Sequence, residues 1–163
     1  MKRRAYIDIE TTGFSRYFFD LTVVGIGMEK GGEVEVLQFI ESDLCDYKLL
    51  KALKGVDEIY SYNGSRFDLP FIEAKLQLNL NSCFRHTDLM YHCWRNDLTG
   101  GLKVVERKLG IKRKLQGVDG YIAVQLWWEY VNNNDKRALQ ILLDYNKEDV
   151  VNLKVLRQRL SVK

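Results

Sequence analysis

Two acidic side chains, Asp8 and Glu10, stand two positions apart near the start of the chain. They alternate with Ala5, Ile7 and Ile9, which predicts a β-strand with one acidic and one apolar face. Residues i and i+2 of a strand point the same way, so the two carboxylates lie close together. A divalent cation would offset their repulsion, and a metal site is therefore one interpretation. The alternative is an edge strand with a solvated acidic face.

A third acid, Asp149, interrupts the apolar stripe of the last predicted helix. The other members of this stripe recur every three or four residues: Ala138, Leu142, Tyr145, Leu153, Leu156 and Leu160. An unpaired buried carboxylate costs several kcal/mol. Since no Lys or Arg lies on the stripe, a metal ion shared with Asp8 and Glu10 is one partner for Asp149. The alternative is a rotated helix that lets Asp149 reach water.

A fourth acid, Asp68, follows a predicted strand and precedes Pro70 by two positions. This pattern makes Asp68 a good N-cap of a helix with proline near its start, a role that does not exclude metal ligation. Oxygen ligands suit Mg²⁺ or Mn²⁺ rather than zinc. Four carboxylates from three segments can hold two such ions about 3.5–4 Å apart, which activate a water and stabilise the leaving oxygen of a phosphodiester.

Strands dominate the first half of the chain and helices the second. The predicted strands cover residues 5–10, 21–28, 33–40, 58–62 and 83–87. The predicted helices run from Ser42 or Asp43 to about 54, from near Pro70 to about 78, and over 88–95, 102–109, 120–131 and 135–160. A three-strand meander, then two strands alternating with helices, indicates an α/β fold with one five-stranded mixed sheet flanked by helices. We expect residues 1–163 to form one domain.

Composition excludes several classes of protein. The chain is 46% hydrophobic and 29% charged, as in ordinary folded domains. No uncharged run approaches the roughly 20 apolar residues of a membrane span, and Asp8 and Glu10 interrupt any signal segment. The net charge of +3 is compatible with a polyanionic partner without requiring one. Three cysteines cannot all pair, so we expect reduced thiols and a cytoplasmic location.

Three segments resemble the motifs of the DEDD 3′–5′ exonucleases. Residues 6–13, Tyr-Ile-Asp-Ile-Glu-Thr-Thr-Gly, resemble the first motif, and Asn63 with Phe67-Asp68 resembles the second. Tyr145 stands four residues before Asp149, as in the tyrosine (DEDDy) form of the third. Further similarity, in the segments 101–106, 109–111 and 145–149, is to a small branch of predicted ribonuclease-H-like exonucleases. The resemblance implies a ribonuclease-H-like fold.

The resemblance also implies roles in catalysis. Asp8 would bridge two Mg²⁺ or Mn²⁺ ions. Glu10 and Asp149 would ligate the ion that holds the attacking water, and Asp68 would serve the second ion. Tyr145 would orient the water, since a phenol with a pKa near 10 is a poor general base at neutral pH.

Contacts with nucleic acid are expected at two places. Thr11, Phe14 and Asn63 belong to or adjoin the first two motifs, and Phe14 would press on the terminal base; core packing is its alternative. Lys103 and Arg107 are candidate phosphate contacts at the rim of the site. They belong to a basic run that also contains Lys108, Lys112, Arg113 and Lys114. A solvated helix face is the alternative for this run.

Zinc is disfavoured at Cys83, His86, His92 and Cys93. The adjacent His92 and Cys93 point apart on a helix, and the other two span a predicted strand. Asp88, near the end of the fifth strand, either supports the acidic site or caps a helix.

The motifs together predict a divalent-metal-dependent 3′–5′ exonuclease that hydrolyses phosphodiester bonds by a two-metal mechanism, with DNA slightly favoured. An RNA-trimming or structure-selective nuclease is the alternative with the same chemistry. A non-catalytic nucleic-acid-binding module on the same fold is the alternative of another class. The expected partner is a single-stranded nucleic acid with a 3′ end. We do not expect the protein to bind a membrane. Such a chain can act in trans with a helicase, polymerase or repair protein.

Overall fold

One mixed sheet of five strands forms the centre of the fold. The computed structural model describes residues 2–163. Its strands are β1 Arg4–Thr11, β2 Leu21–Lys30, β3 Glu33–Ile40, β4 Glu58–Ser61 and β5 Arg85–Asp88. They lie in the order β3-β2-β1-β4-β5. β1, β2 and β3 pair antiparallel, whereas β4 pairs parallel with β1 and with β5. The predicted α/β class, with a meander followed by two strands that alternate with helices, is confirmed.

Helices cover both faces of this sheet. Their bounds are α1 Asp46–Ala52, α2 Asp68–Leu76, α3 Leu80–Cys83, α4 Leu89–Trp94, α5 Leu102–Lys108, α6 Gly120–Asn133 and α7 Lys136–Arg159. Within residues 2–163, no helix combines the length and apolar character that a membrane span requires. That residues 1–163 form a single domain stays a prediction.

β1 is the central strand, and both of its faces are covered. On one face, Ala5 is fully buried in an apolar cluster with Leu49 of α1. On the other face, Tyr6 packs in a second cluster with residues of α4, α5 and α7. Asp8 and Glu10 share the face of Tyr6, so this second helical layer faces the two carboxylates. The edge-strand alternative is therefore wrong.

α7 approaches β2 closely because two glycines leave room for its side chains. A Cβ atom on Gly25 would lie 2.3 Å from Asn146 Oδ1, and one on Gly27 would lie 2.6 Å from Val150 Cγ1. A larger residue at either position would displace these side chains of α7. The stripe of α7 faces inward, since its members are buried: Ala138, Leu142, Tyr145, Asp149, Leu153 and Leu156. The rotated-helix alternative for Asp149 is therefore wrong.

The elements depart most from the prediction in two regions, at the start of α1 and before β5. α1 begins at Asp46 rather than at Ser42 or Asp43, because residues 41–43 form a separate 3₁₀ turn. Cys83 ends the short helix α3 instead of beginning the fifth strand. The Asn79 side chain caps α3, which allows the chain to complete a helical turn before β5.

Candidate active site

A cleft of about 780 Å³ opens at the carboxyl end of β1. All residues with a predicted catalytic role line it: Asp8, Glu10, Asp68, Tyr145 and Asp149. β1 carries the first two on one face, α2 begins with the third, and α7 carries the last two one turn apart. Three separate elements thus direct five polar side chains at one opening.

Three of the four carboxylates form a compact group. Asp8, Glu10 and Asp149 each place an oxygen within 4.8 Å of the other two. Burial raises the pKa of Asp8 and of Glu10 well above the ordinary carboxyl value, and repulsion from Asp149 adds to both shifts. Glu10 Oε1 is buried, and no residue within 2–163 donates a hydrogen bond to it. A cation would satisfy that oxygen and offset the repulsion, so these donors fit a divalent metal ion.

Asp68 stands beside this group rather than in it. Its Oδ1 accepts a hydrogen bond at 3.2 Å from the backbone N–H of Ile9, which lies between Asp8 and Glu10 along β1. Burial is the main cause that raises the pKa of Asp68 to about 7. The N-cap interpretation is wrong, because Phe67 occupies the N-cap position and Asp68 is the first residue of α2. Its carboxylate faces β1, while the helix anchors its backbone.

Asp149 has two cationic partners that lie outside its own helix. Arg113 Nη2 lies 2.5 Å from Asp149 Oδ1, and Lys103 Nζ lies 3.7 Å from Oδ2. Lys103 belongs to α5 and Arg113 to the loop that follows it. Burial raises the pKa of Asp149, while both cations lower it. Tertiary contacts therefore supply the cations that the α7 stripe lacks, and the burial of Asp149 does not by itself demand a metal ion.

Arg113 connects Asp149 to a second buried carboxylate. Its Nη1 lies 2.8 Å from Oε2 of Glu106, which is fully buried. Asn152 Nδ2 donates to Glu106 Oε1 at 3.1 Å, and Glu148 Oε2 lies 3.8 Å from Arg113 Nε. This network ties the loop after α5 to α7. The basic run in the sequence places Arg113 among candidate surface cations, and that interpretation is wrong for this residue.

A buried amide holds Asp8 in one orientation. Asn146 Nδ2 donates to the backbone oxygen and to Oδ2 of Asp8, each at 3.1 Å. Gln38 Nε2 donates to Asn146 Oδ1 at 2.9 Å, which determines how the amide is turned. Asn146 is not among the site residues predicted from the sequence. The available signal is its position beside Tyr145 in the third motif.

Asp88 organises the loop of the second motif. Its carboxylate accepts hydrogen bonds from the Asn63 N–H at 2.8 Å, the Ser65 N–H at 3.1 Å and the Ser65 hydroxyl at 2.5 Å. It also caps α4 by accepting from the Met90 N–H at 3.1 Å. Asn63 adopts a φ of 60°, which few residues other than glycine tolerate. Asp88 thus both caps a helix and supports the site.

The predicted nucleic-acid contacts Thr11, Phe14 and Asn63 all line the cleft. Phe14 is 92% exposed, so its core-packing alternative is wrong. Thr11 Oγ1 donates to the Gly13 carbonyl at 2.7 Å and stabilises the turn after β1. Tyr121, at the start of α6, also lines the cleft and is 72% exposed. This second exposed aromatic ring has no motif around it that would reveal it in the sequence.

The two predicted rim cations occupy different environments. Lys103 Nζ donates to Tyr145 Oη at 2.5 Å and therefore faces the site. Arg107, one turn later on α5, is exposed to solvent. The solvated-face alternative is wrong for Lys103, and contact between Arg107 and nucleic acid stays a prediction.

Comparisons with known proteins agree with this architecture. A family model described as the RNase_H superfamily matches residues 5–161. Brucella melitensis NrnC has a TM-score of 0.63 and 22% identity, with 97% of this chain and 71% of that chain covered. NrnC bound to pGG has a TM-score of 0.52 and 18% identity, covering 98% and 83% of the two chains. E. coli exonuclease I in complex with a dA16 oligonucleotide has a TM-score of 0.51 and 15% identity, covering 94% and 46%.

One curated relative also matches in sequence. The uncharacterized protein YprB of Bacillus subtilis is 24% identical over 174 residues, which covers 90% of this chain and 42% of that protein. This chain therefore spans less than half the length of that relative. The family match, by contrast, extends over nearly all of this chain, including the three segments that carry the acids. The chain belongs to the RNase_H superfamily.

Proposed function

We propose that this chain is a 3′–5′ exonuclease of the DEDDy type that hydrolyses single-stranded nucleic acid with two Mg²⁺ or Mn²⁺ ions. The observation that carries the proposal is the group of Asp8, Glu10 and Asp149, whose oxygens lie within 4.8 Å of one another. Asp68 lies beside this group through its bond to the Ile9 N–H. The acids follow one another in the order of the exonuclease motifs, and the fold is that of the RNase_H superfamily.

The four carboxylates would hold the two ions. Asp8 would contact both, Glu10 and Asp149 the first, and Asp68 the second. When bound, such ions lower the pKa of a water and stabilise the leaving oxygen of a phosphodiester. Asn146 contributes by holding the Asp8 carboxylate in one orientation beside Glu10 and Asp149.

Tyr145 serves as a hydrogen-bond donor rather than as a base. Burial and the carboxylates of Asp149, Glu10 and Asp8 raise the pKa of Tyr145 above that of an ordinary phenol. The phenol is therefore protonated at neutral pH and can orient a water beside the acidic group without removing its proton.

The walls of the cleft suit an unpaired strand end. Phe14 and Tyr121 expose aromatic rings there, and such rings stack on bases of any sequence. NrnC binds pGG and E. coli exonuclease I binds a dA16 oligonucleotide, which supports a nucleic acid as the substrate here. We propose DNA as the slightly favoured substrate. We also propose a cytoplasmic location, which the free thiols of Cys45, Cys83 and Cys93 support.

Matched single-stranded DNA and RNA oligonucleotides, labelled at the 5′ end, test this function in the presence of Mn²⁺. We expect a ladder of products shortened from the 3′ end, and none in EDTA. Asp8→Asn should abolish the ladder. Glu33→Gln removes an exposed carboxylate of the edge strand β3 and should cut like the wild type.

The other outcomes each contradict part of the proposal. Binding without cleavage in Mn²⁺ would refute hydrolysis and favour the non-catalytic binding module. Internal cuts would refute the exonuclease assignment and favour a structure-selective nuclease. Faster cleavage of the RNA than of the DNA would select the RNA-trimming alternative.

A further inference from the structure

Lys103, on α5, contacts two residues of the candidate active site. Its Nζ lies 2.5 Å from Tyr145 Oη, 4.3 Å from the centre of the Tyr145 ring and 3.7 Å from Asp149 Oδ2. The side chain is 30% exposed. Arg107, one turn further along the same helix, is exposed to solvent and makes no such contact within residues 2–163. One ammonium group therefore contacts both Tyr145 and Asp149 of the third motif.

The ammonium group of Lys103 determines whether the Tyr145 phenol donates or accepts in their hydrogen bond. An ammonium has three protons and no acceptor, so in its contact with Tyr145 the phenol oxygen accepts. The hydrogen of the phenol is then left for a different acceptor. Tyr145 lines the cleft together with Asp8 and Glu10, and that acceptor would be a group in the cleft. The contact with Lys103 therefore leaves Tyr145 free to donate its own hydrogen toward the cleft.

The same ammonium opposes a metal ion at the carboxylates. A positive charge 3.7 Å from Asp149 Oδ2 repels any cation that the acidic group would hold. Loss of Lys103 should therefore favour metal binding while it releases the phenol. Removing a contact that only stabilised the fold would not tighten metal binding.

We propose that Lys103 is a positioning residue that holds the Tyr145 phenol as a hydrogen-bond donor toward the reacting groups. This inference rests on the proposed exonuclease function. It replaces the role of Lys103 as a phosphate contact at the rim. The sequence places Lys103 in a basic run, and only the fold shows that its side chain turns toward α7.

The test compares Lys103→Met, Tyr145→Phe and the double variant in the 3′–5′ oligonucleotide assay. We expect Lys103→Met to lower kcat about tenfold with little change in KM, since one positioning hydrogen bond is lost. The double variant should lose no more than Tyr145→Phe alone, because Lys103 acts through the phenol oxygen. Lys51→Met removes the same charge from an exposed position on α1, a helix that packs on the face of β1 opposite the acids, and should leave kcat unchanged.

Two measurements without turnover separate this role from the alternatives. Calorimetric titration with Mn²⁺ alone should show tighter binding to Lys103→Met than to the wild type or to Lys51→Met. The slope of log affinity for a single strand against log salt, measured in Ca²⁺, should not change in Lys103→Met. A phosphate contact would flatten it by about 0.7.

Additive losses in the double variant, weaker Mn²⁺ binding or a flatter salt slope would each overturn the proposed role of Lys103. The wild type serves as the reference for the underlying function. If it fails to cut any oligonucleotide, the exonuclease proposal fails. The Mn²⁺ titration still decides whether Lys103 opposes the metal ion.

Discussion

Arg113→Met should destabilise the protein by about 3–5 kcal/mol, the usual cost of truncating one partner of a buried ion pair. The guanidinium is 12% exposed and lies between the fully buried Glu106 and Asp149. Its removal leaves two carboxylates without their nearest cation. Lys103 still faces Asp149 at 3.7 Å, so the larger share of the cost falls on Glu106.

The melting temperature gives a direct measure of this loss. For a chain of 163 residues, 1 kcal/mol changes Tm by about 2–4 °C, so we expect a fall of roughly 6–20 °C. The calorimetric melts are made in metal-free buffer, so that no metal ion binds Asp149 in either protein. Arg107→Met removes an exposed guanidinium from α5 and should change Tm by only about 1–2 °C.

The loss should also depend on pH in a direction set by Glu106. Burial raises the pKa of Glu106 above its ordinary value, while Arg113 and Asn152 lower it. Without Arg113 the pKa of the folded state rises further. The folded variant then binds a proton more readily than the unfolded chain, and its stability falls as the pH rises through the folded-state pKa. The difference in Tm from the wild type should therefore be smaller near pH 5 than near pH 7, because acid favours the protonated carboxyl.

A second substitution tests whether the uncompensated charge of Glu106 causes the loss of stability. Glu106→Gln in the Arg113→Met background replaces an uncompensated charge by a neutral amide and should recover part of the stability. An Arg113→Met protein that melts within about 2 °C of the wild type at both pH values would refute the argument. So would a double variant that melts no higher than Arg113→Met alone.

Three further predictions concern the acidic group and the rim. Asp8→Ala should abolish hydrolysis of a labelled oligonucleotide, whereas Tyr145→Phe should slow it about tenfold, because the hydroxyl only orients water; equal losses would show a larger role for the phenol. Asp8→Asn should raise the Tm in EDTA at neutral pH, because burial and the neighbouring carboxylates raise the Asp8 pKa and make its ionised form costly. That gain should shrink as the pH falls and Asp8 becomes protonated in the wild type, and a gain that persists in acid would contradict it. Arg107→Gln should flatten the salt slope of single-strand binding by about 0.7, the value for one phosphate, and an unchanged slope would place Arg107 outside the nucleic-acid path.

The acidic group could be predicted because its members follow local periodicities. Asp8 and Glu10 share a strand face at a period of two, and Asp149 falls in a helical stripe that also contains Tyr145. These patterns depend only on the backbone geometry of one element. The structure confirms the faces, with β1 at the centre of the sheet and the stripe of α7 turned toward it.

Short elements were harder to predict for a related reason. α3 covers four residues and α1 seven, so neither shows enough periods to define its bounds. Asn79 caps α3, and such local side-chain bonds compete with strand formation over a few residues. Asp68 illustrates the converse case. Its position before Pro70 favours a cap, yet its carboxylate accepts a hydrogen bond from the Ile9 N–H of β1 instead.

The sequence by itself determined the α/β class and the faces of β1 and α7 that carry the acids, because side-chain direction follows from local backbone geometry. Only the tertiary structure decided which residues partner those acids. Lys112, Arg113 and Lys114 are alike in the sequence, and the path of one loop turns Arg113 inward to Asp149, 36 residues away along the chain. Asn146 likewise reaches Asp8 across 138 residues because Gly25 leaves room for α7 against the sheet. Such contacts depend on how closely whole elements pack, which no local pattern of residues records.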